Sequence, residues 1–230
     1  MSDLPGTSDL PRWSSALVIV AHPDDESFGL GAVLSTLASR GTRISVLCYT
    51  QGEASTLHGV DGDLSLLRGE ELRRAADELG LAGVRLLAHP DGALAAEPLE
   101  GLLAEAREFA CEVGAEGLIT FDPSGITGHP DHRTAAEVTE RLADELGVAA
   151  LAWTLPADVS DQLQRELGVP FVGRTPDLID VVLDVDRGPQ RRAILCHASQ
   201  AVPQSPLWRR LELLGDKEHL FWLRRPAAGR

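Results

Sequence analysis

The sequence predicts one α/β domain: a Rossmann-like, doubly wound parallel sheet flanked by helices, with its active site at the C-terminal ends of strands 1 and 4. Three observations carry this. Apolar runs alternate with amphipathic stretches along all 230 residues. Several of those runs are continuous, as strands covered on both faces require. Gly41, Gly80, Gly114 and Gly147 each close a helical pattern, at the position where a left-handed residue ends a helix.

The elements follow in order. "ALVIVA" (16–21) is the first strand, and a helical pattern runs over 24–40. "RISVLCYT" (43–50) and a helix over 66–80 come next, then "VRLLA" (84–88) and a helix over 98–113. "GLITF" (117–121) is the fourth strand, with a helix over 131–147, and "VAALAWT" (148–154) the fifth, with a helix over 157–168. "LIDVVLDV" (178–185), helices over 187–200 and 206–214, and "HLFWLRR" (219–225) complete the pattern. Residues 1–14 read as a tail and 15–230 as the domain. The Gly- and Asp-rich loops 51–64 and 89–97 lie at strand ends, where substrate contacts concentrate.

Composition narrows the partners. Hydrophobic residues make up 43% and charged residues 24%, ordinary for a globular α/β protein. A net charge of −14 argues against nucleic acid or an anionic membrane surface, while leaving room for an anionic small molecule at a local arginine. Cys48, Cys111 and Cys196 form no CxxC pair and sit in apolar contexts, which predicts buried thiols in a reducing compartment. The N-terminus lacks a basic, then apolar, signal pattern, and the run 16–21 is too short for a bilayer, so a cytoplasmic protein is expected. The apolar stretch "LWRRLELLG" suits either core or a homo-oligomer interface.

The chemistry concentrates in two stretches. "AHPDDE" (21–26) leaves the first strand and enters a helix. Carboxylates are favoured at a helix N-terminus, so one or two of its acids need no further role. His22 and Asp25, however, are spaced to face one point across the turn. "DPSGITGHPDH" (122–132) follows the fourth strand, and its His129 and His132 repeat that spacing around Pro-Asp. In a sheet of order 3-2-1-4-5, strands 1 and 4 flank the topological switch point, so His22, Asp24, Asp25, His129 and His132 should converge. Two imidazoles and a carboxylate suit catalytic Zn²⁺, and equally the facial triad of non-haem iron; the α/β scaffold favours zinc hydrolysis. Asp24 then serves as general base. His129 stabilises an oxyanion or protonates the leaving group, and Asp131 orients His129.

"AHPDDE", "YTQGEAS" (49–55), "RGEELRRAADELG" (68–80) and "GHPDH" (128–132) together resemble the LmbE-like/PIG-L family of zinc-dependent N-deacetylases. The resemblance covers the chain to about residue 200. It implies hydrolysis of an N-acetyl group on an amino-sugar-containing small molecule or glycoside. It also implies zinc on His22, Asp25 and His132, Asp24 as base, and oxyanion stabilisation by His129. Two departures stand out: Ala32 follows Gly31 where the family often has Gly-Gly, and Gln190, Arg191 or Arg192 stands in for a frequent lysine upstream of "CHASQ" (196–200).

By family position Arg68 clamps an anionic or hydroxyl group of the substrate; the plainer alternative is an ion pair with Glu70 or Glu71. Glu53 and Asp91, at the crevice edge, are placed to bind sugar hydroxyls; His197 is a further substrate-binding candidate, whose alternatives are packing near the crevice or capping a helix carbonyl. His58 and His219 read as structural or solvated, and His89 as a loop histidine. The runner-up activity is an amidase cutting a larger acyl group, such as a thiol-conjugate amide. A more distant alternative is a Mg²⁺-binding receiver-type domain, but strand 5 offers no lysine for it.

Overall fold

The computed structural model describes residues 10–56 and 63–226; residues 1–9 of the expected tail, and His58 with the rest of 57–62, lie outside the described residues. The elements are β1 (Ser15–Val20), α1 (Asp25–Phe28), α2 (Gly31–Ser39), β2 (Arg43–Thr50), α3 (Leu64–Leu79), β3 (Gly83–His89), α4 (Leu99–Val113), β4 (Gly117–Phe121), α5 (Pro130–Leu146) and β5 (Ala149–Pro156). They continue with α6 (Ala157–Leu167), β6 (Gly173–Arg174), β7 (Val181–Asp184), α7 (Arg187–Cys196), α8 (Pro206–Leu214) and β8 (Lys217–Arg224).

The sheet runs β3-β2-β1-β4-β5-β8-β7, with the two-residue β6 pairing with β5. Its first five strands are parallel in the order 3-2-1-4-5. A receiver-type sheet of order 2-1-3-4-5 is therefore ruled out. The expectation of a wholly parallel sheet needs correction, because β8 runs antiparallel to both β5 and β7. The sequence carried a sign of this. Along β7, Val181 and Leu183 are buried while Val182 and Asp184 are exposed, the period-2 alternation of an edge strand with one face in water.

The continuous apolar run of β1 is explained by its two covered faces. Val18 and Val20 join a core with Val33, Leu34 and Leu37 of α2 and Leu72 of α3. Leu17 and Ile19 join a second core with Leu102 and Phe109 of α4 and Val138 and Leu142 of α5. Neighbouring residues thus serve opposite cores, as the strand pleat requires. Leu10, expected in the tail, is buried in the first core.

Two helix boundaries differ from expectation. The stretch 24–40 is two helices, broken at Gly29 and Leu30. A side chain at Gly29 would put its Cβ 2.3 Å from the Phe121 ring, so the break is where β4 comes close. The carbonyls freed there are met by side chains, as helix ends require. Gln190 Nε2 donates to Ser27 O (3.0 Å) and Phe28 O (3.2 Å), and Arg210 donates to Phe28 O as well. The helix expected over 187–200 stops at Cys196, and "HASQ" forms a turn. The three thiols are free, but Cys111 is exposed and Cys196 half-buried; only Cys48 is buried as expected. No helix among the described residues is long and apolar enough to cross a membrane.

Candidate active site

The C-terminal ends of β1 and β4 meet at one cavity of about 560 Å³, lined among others by His22, Asp24, Asp25, Arg68, Asp91, His129 and His132. The chain enters it tightly. Asp25 folds back so that its Oδ2 accepts from the backbone N–H of Ala21 (3.1 Å) and His22 (2.9 Å). Its Oδ1 stays free to face His132 Nε2, 3.1 Å away.

Each imidazole is oriented by its other nitrogen. His22 Nε2 lies 3.1 Å from Asp91 and 3.2 Å from Asp131, so the proton resides there and Nδ1 is bare. His132 Nδ1 donates to Gly125 O at 3.3 Å, which leaves Nε2 bare. The two bare nitrogens are 3.2 Å apart, and His22 Nδ1 is 3.6 Å from Asp25 Oδ2. Donors about 2.0–2.1 Å from one Zn²⁺ in tetrahedral array stand roughly 3.3–3.4 Å from one another. His22 Nδ1, His132 Nε2 and the Asp25 carboxylate thus surround one point at spacings compatible with a divalent metal, and the His22, His129 and His132 rings also bring a nitrogen each within 4.8 Å of one another. His22, Asp91 and Asp131 also cluster, but they meet at the proton-bearing nitrogen, so that group positions a ligand instead of forming a second site.

Asp24 sits at φ 151°, a conformation non-glycine residues avoid, at a typical cost of about 1–3 kcal/mol. Side-chain hydrogen bonds help hold it there. Glu26 Oε2 accepts the Asp24 N–H (3.0 Å), and the buried Arg68 donates to Pro23 O (2.7 Å) and to Asp24 Oδ2 (3.0 Å). Arg68 donates a further bond to Gly52 O, 2.7 Å, where any Cβ would strike the guanidinium. Burial, joined by the neighbouring charge of Asp25, raises the Asp24 pKa to about 6 against the opposing pull of Arg68.

The imidazoles divide in the same way. Burial lowers the pKa of His129, with His22 and His132 adding to the effect. Its Nδ1 accepts the Asp131 backbone N–H at 3.2 Å, capping α5. A neutral His129 therefore carries its proton on Nε2, as a hydrogen-bond donor. For His22 burial works against protonation, but bonds to Asp131, Asp25 and Asp91 outweigh it and raise its pKa; with no metal bound Nδ1 then also carries a proton, which a metal would displace.

Four expected site residues have protein partners other than those the sequence suggested. The Asp131 carboxylate does not orient His129; fully buried, it faces His22 and accepts from Gly92 N (2.8 Å) and Leu94 N (3.1 Å). Glu53 is exposed, away from the cavity lining, and accepts from Asp91 N at 2.9 Å, clasping two loops. Arg68 is paired with Asp24, because Glu71 is taken by Ser199 through its N (2.9 Å) and Oγ (2.6 Å). His197 is completely buried beneath the site, its Nε2 2.7 Å from Glu26 Oε1, so it reaches no substrate.

His197 instead partners the acid that holds Asp24 in its strained pose. Its removal strands a buried carboxylate. His197→Ala is expected to lower the unfolding free energy by about 3–5 kcal/mol. Urea titration measures this, and an unshifted midpoint would refute the pairing. The sequence reading missed Phe121, Trp153 and Arg210, which also line the cavity. They look like ordinary core residues until the fold turns them toward the site.

Comparison with known proteins accords with this geometry. Residues 17–143 match the profile of the family described as PIG-L, GlcNAc-PI de-N-acetylase. A 1D-myo-inositol 2-acetamido-2-deoxy-alpha-D-glucopyranoside deacetylase of Corynebacterium glutamicum is 32% identical over 191 residues. That alignment covers 70% of this chain and 61% of the relative, so the chain spans under two thirds of that protein's length. Among solved structures, the A40926 pseudoaglycone deacetylase superposes with a TM-score of 0.66 at 22% identity, covering 94% of this chain and 98% of that one. The 4-carboxy-2-hydroxymuconate hydratase of Pseudomonas putida also reaches 0.66, at 19% identity, covering 94% and 98%; the fold thus serves more than one reaction. From the match over most of its first two thirds, this chain belongs to the PIG-L family of GlcNAc-PI de-N-acetylases.

Proposed function

We propose that the protein is a zinc-dependent N-deacetylase acting on an amino-sugar-containing small molecule. The observation that carries the reading is the approach of His22 Nδ1, His132 Nε2 and the Asp25 carboxylate to one another, with Asp24 and His129 lining the same cavity. The C. glutamicum relative, named for a 2-acetamido sugar, supports the substrate class. Held by those three donors, zinc supplies Lewis acidity that polarises the amide carbonyl and acidifies a water.

The protein's own groups do the rest. Asp24, ionised above its pKa of about 6, takes the proton from the attacking water. His129 Nε2–H donates to the oxyanion as the carbonyl carbon becomes tetrahedral. The C–N bond then breaks, and Asp24 returns the proton to the departing amine. The products are acetate and a free amino group. Arg68 fixes the Asp24 carboxylate throughout and tempers its basicity.

The reading is tested by acetate release from N-acetylglucosaminides, using protein stripped by chelator and reloaded with one equivalent of zinc. Acetate is expected only after reloading. A longer acid as product would identify the amidase alternative, and no acid from any of these amides would reject the deacetylase. The pH profile follows from Asp24. Because the base must be ionised, kcat/KM should fall about tenfold per unit as pH drops below about 6. Asp24→Asn should remove that acid limb of the profile, and a limb that persists in the variant excludes Asp24 as its source.

A further inference from the structure

The cavity lining is of two kinds. It includes polar residues, Asp24, Arg68, Asp91 and Gln200, and a set of apolar ones, Phe28, Phe121, Trp153, Phe171 and Leu207. The chemistry above uses none of the apolar wall. That wall is continuous with the site. The Phe121 ring lies 5.0 Å from the His132 ring and 5.5 Å from Trp153, and the Arg210 guanidinium carbon stands 5.2 Å from the centre of Trp153.

Arg210 is the unusual member. It projects from α8 into the cavity lining with only 9% of its surface exposed. One of its nitrogens donates to Phe28 O, while its buried Nε has no partner. No carboxylate among the described residues forms an ion pair with it. Glu218, whose charge reaches it, is occupied on Oε1 by Arg187 (2.5 Å) and on Oε2 by Trp153 Nε1 (2.6 Å). Burial pulls the Arg210 pKa down to about 10, which still leaves it charged at neutral pH. A buried, unpaired cation is costly. Its bond to Phe28 O does not explain the charge, because the neutral Gln190 already serves that carbonyl.

Resting on the deacetylase reading, we propose that Arg210 and the Phe121–Trp153–Phe171 wall form a subsite for the non-reacting part of the substrate, a flat apolar group bearing a carboxylate. The apolar group packs against the half-buried Phe28 and Phe171, over the buried Phe121 and Trp153, and the carboxylate takes the donors that Arg210 presents to the cavity. A singly charged planar anion suits one guanidinium fork. A phosphate dianion would bring a second charge toward Asp24 and Asp25, while the other arginine lining the cavity, Arg68, is already paired with Asp24.

Two probes test this: the phenyl glycoside of N-acetylglucosamine and its 4-carboxyphenyl counterpart. Zinc-loaded protein is expected to favour the carboxyphenyl compound by roughly 10–100-fold in kcat/KM, the range of one charged hydrogen-bonded contact. Arg210→Gln keeps a donor for Phe28 O and should bring that ratio to about one. Calorimetric binding of the carboxyphenyl compound to both proteins, at two salt concentrations, reads the same contact without turnover. It should weaken at least about tenfold in the variant. A wild-type ratio near one overturns the subsite and needs no variant to show it. An equal fall on both probes in Arg210→Gln overturns it too, since that marks a purely structural arginine. Acetate release without preference leaves the deacetylase standing and removes the subsite. Arg210-dependent binding without acetate from either probe does the reverse.

Discussion

Asp24→Asn is expected to keep one equivalent of metal and to lose about 10²–10⁴ in kcat/KM, the usual contribution of a positioned general base. The substitution preserves size and both contacts to the backbone frame: Glu26 still accepts the residue 24 N–H, and Arg68 still donates to Pro23 O. What goes is the ability to accept a proton. Because burial disfavours the Asp24 carboxylate, the neutral amide should cost no stability. Metal content, thermal melting and acetate release, measured together, separate the outcomes. Full activity would remove Asp24 from the mechanism, and loss of metal would make it a ligand.

His132→Ala should instead abolish both stoichiometric metal and activity. His132 Nε2 closes the donor triangle with His22 Nδ1 at 3.2 Å and Asp25 Oδ1 at 3.1 Å. Without it two donors remain, held 3.6 Å apart at His22 Nδ1 and Asp25 Oδ2, too few to hold zinc against dialysis. A second readout is thermodynamic. Metal at 100 times its Kd stabilises the folded state by about 2.7 kcal/mol. Added zinc should therefore raise the melting temperature of the native protein and leave that of His132→Ala unmoved. His129→Ala is the control, expected to retain metal while losing activity. Metal retained by His132→Ala would overturn the ligand set.

Much of this architecture was legible in the sequence, because the relevant patterns are local. Apolar runs bounded by glycines located β1 to β5, and the Gly80, Gly114 and Gly147 positions are all left-handed helix ends. The topology of a doubly wound sheet then brought two stretches about a hundred residues apart to one crevice. The reversal of β8 was less visible, since strand direction depends on where α8 and the turn at Gly215 deliver the chain. The break at Gly29 depends on the approach of Phe121, which no pattern within residues 24–40 encodes. Residue roles failed where partners are remote in sequence. Asp131 looked like a support for its neighbour His129, yet its carboxylate reaches His22, 109 residues away. Arg210 offered no signal, because a helical arginine reads as a solvated one until the fold buries it.

The family match ends at residue 143, whereas Trp153, Phe171 and Arg210 come later in the chain. The donors and the base belong to one stretch of polypeptide, and much of the apolar wall to another. The division is not complete, since His197 also comes after residue 143 and pairs with the Glu26 that accepts the Asp24 N–H. The family match over residues 17–143 therefore covers the proposed metal donors and base and leaves Trp153, Phe171 and Arg210 outside it.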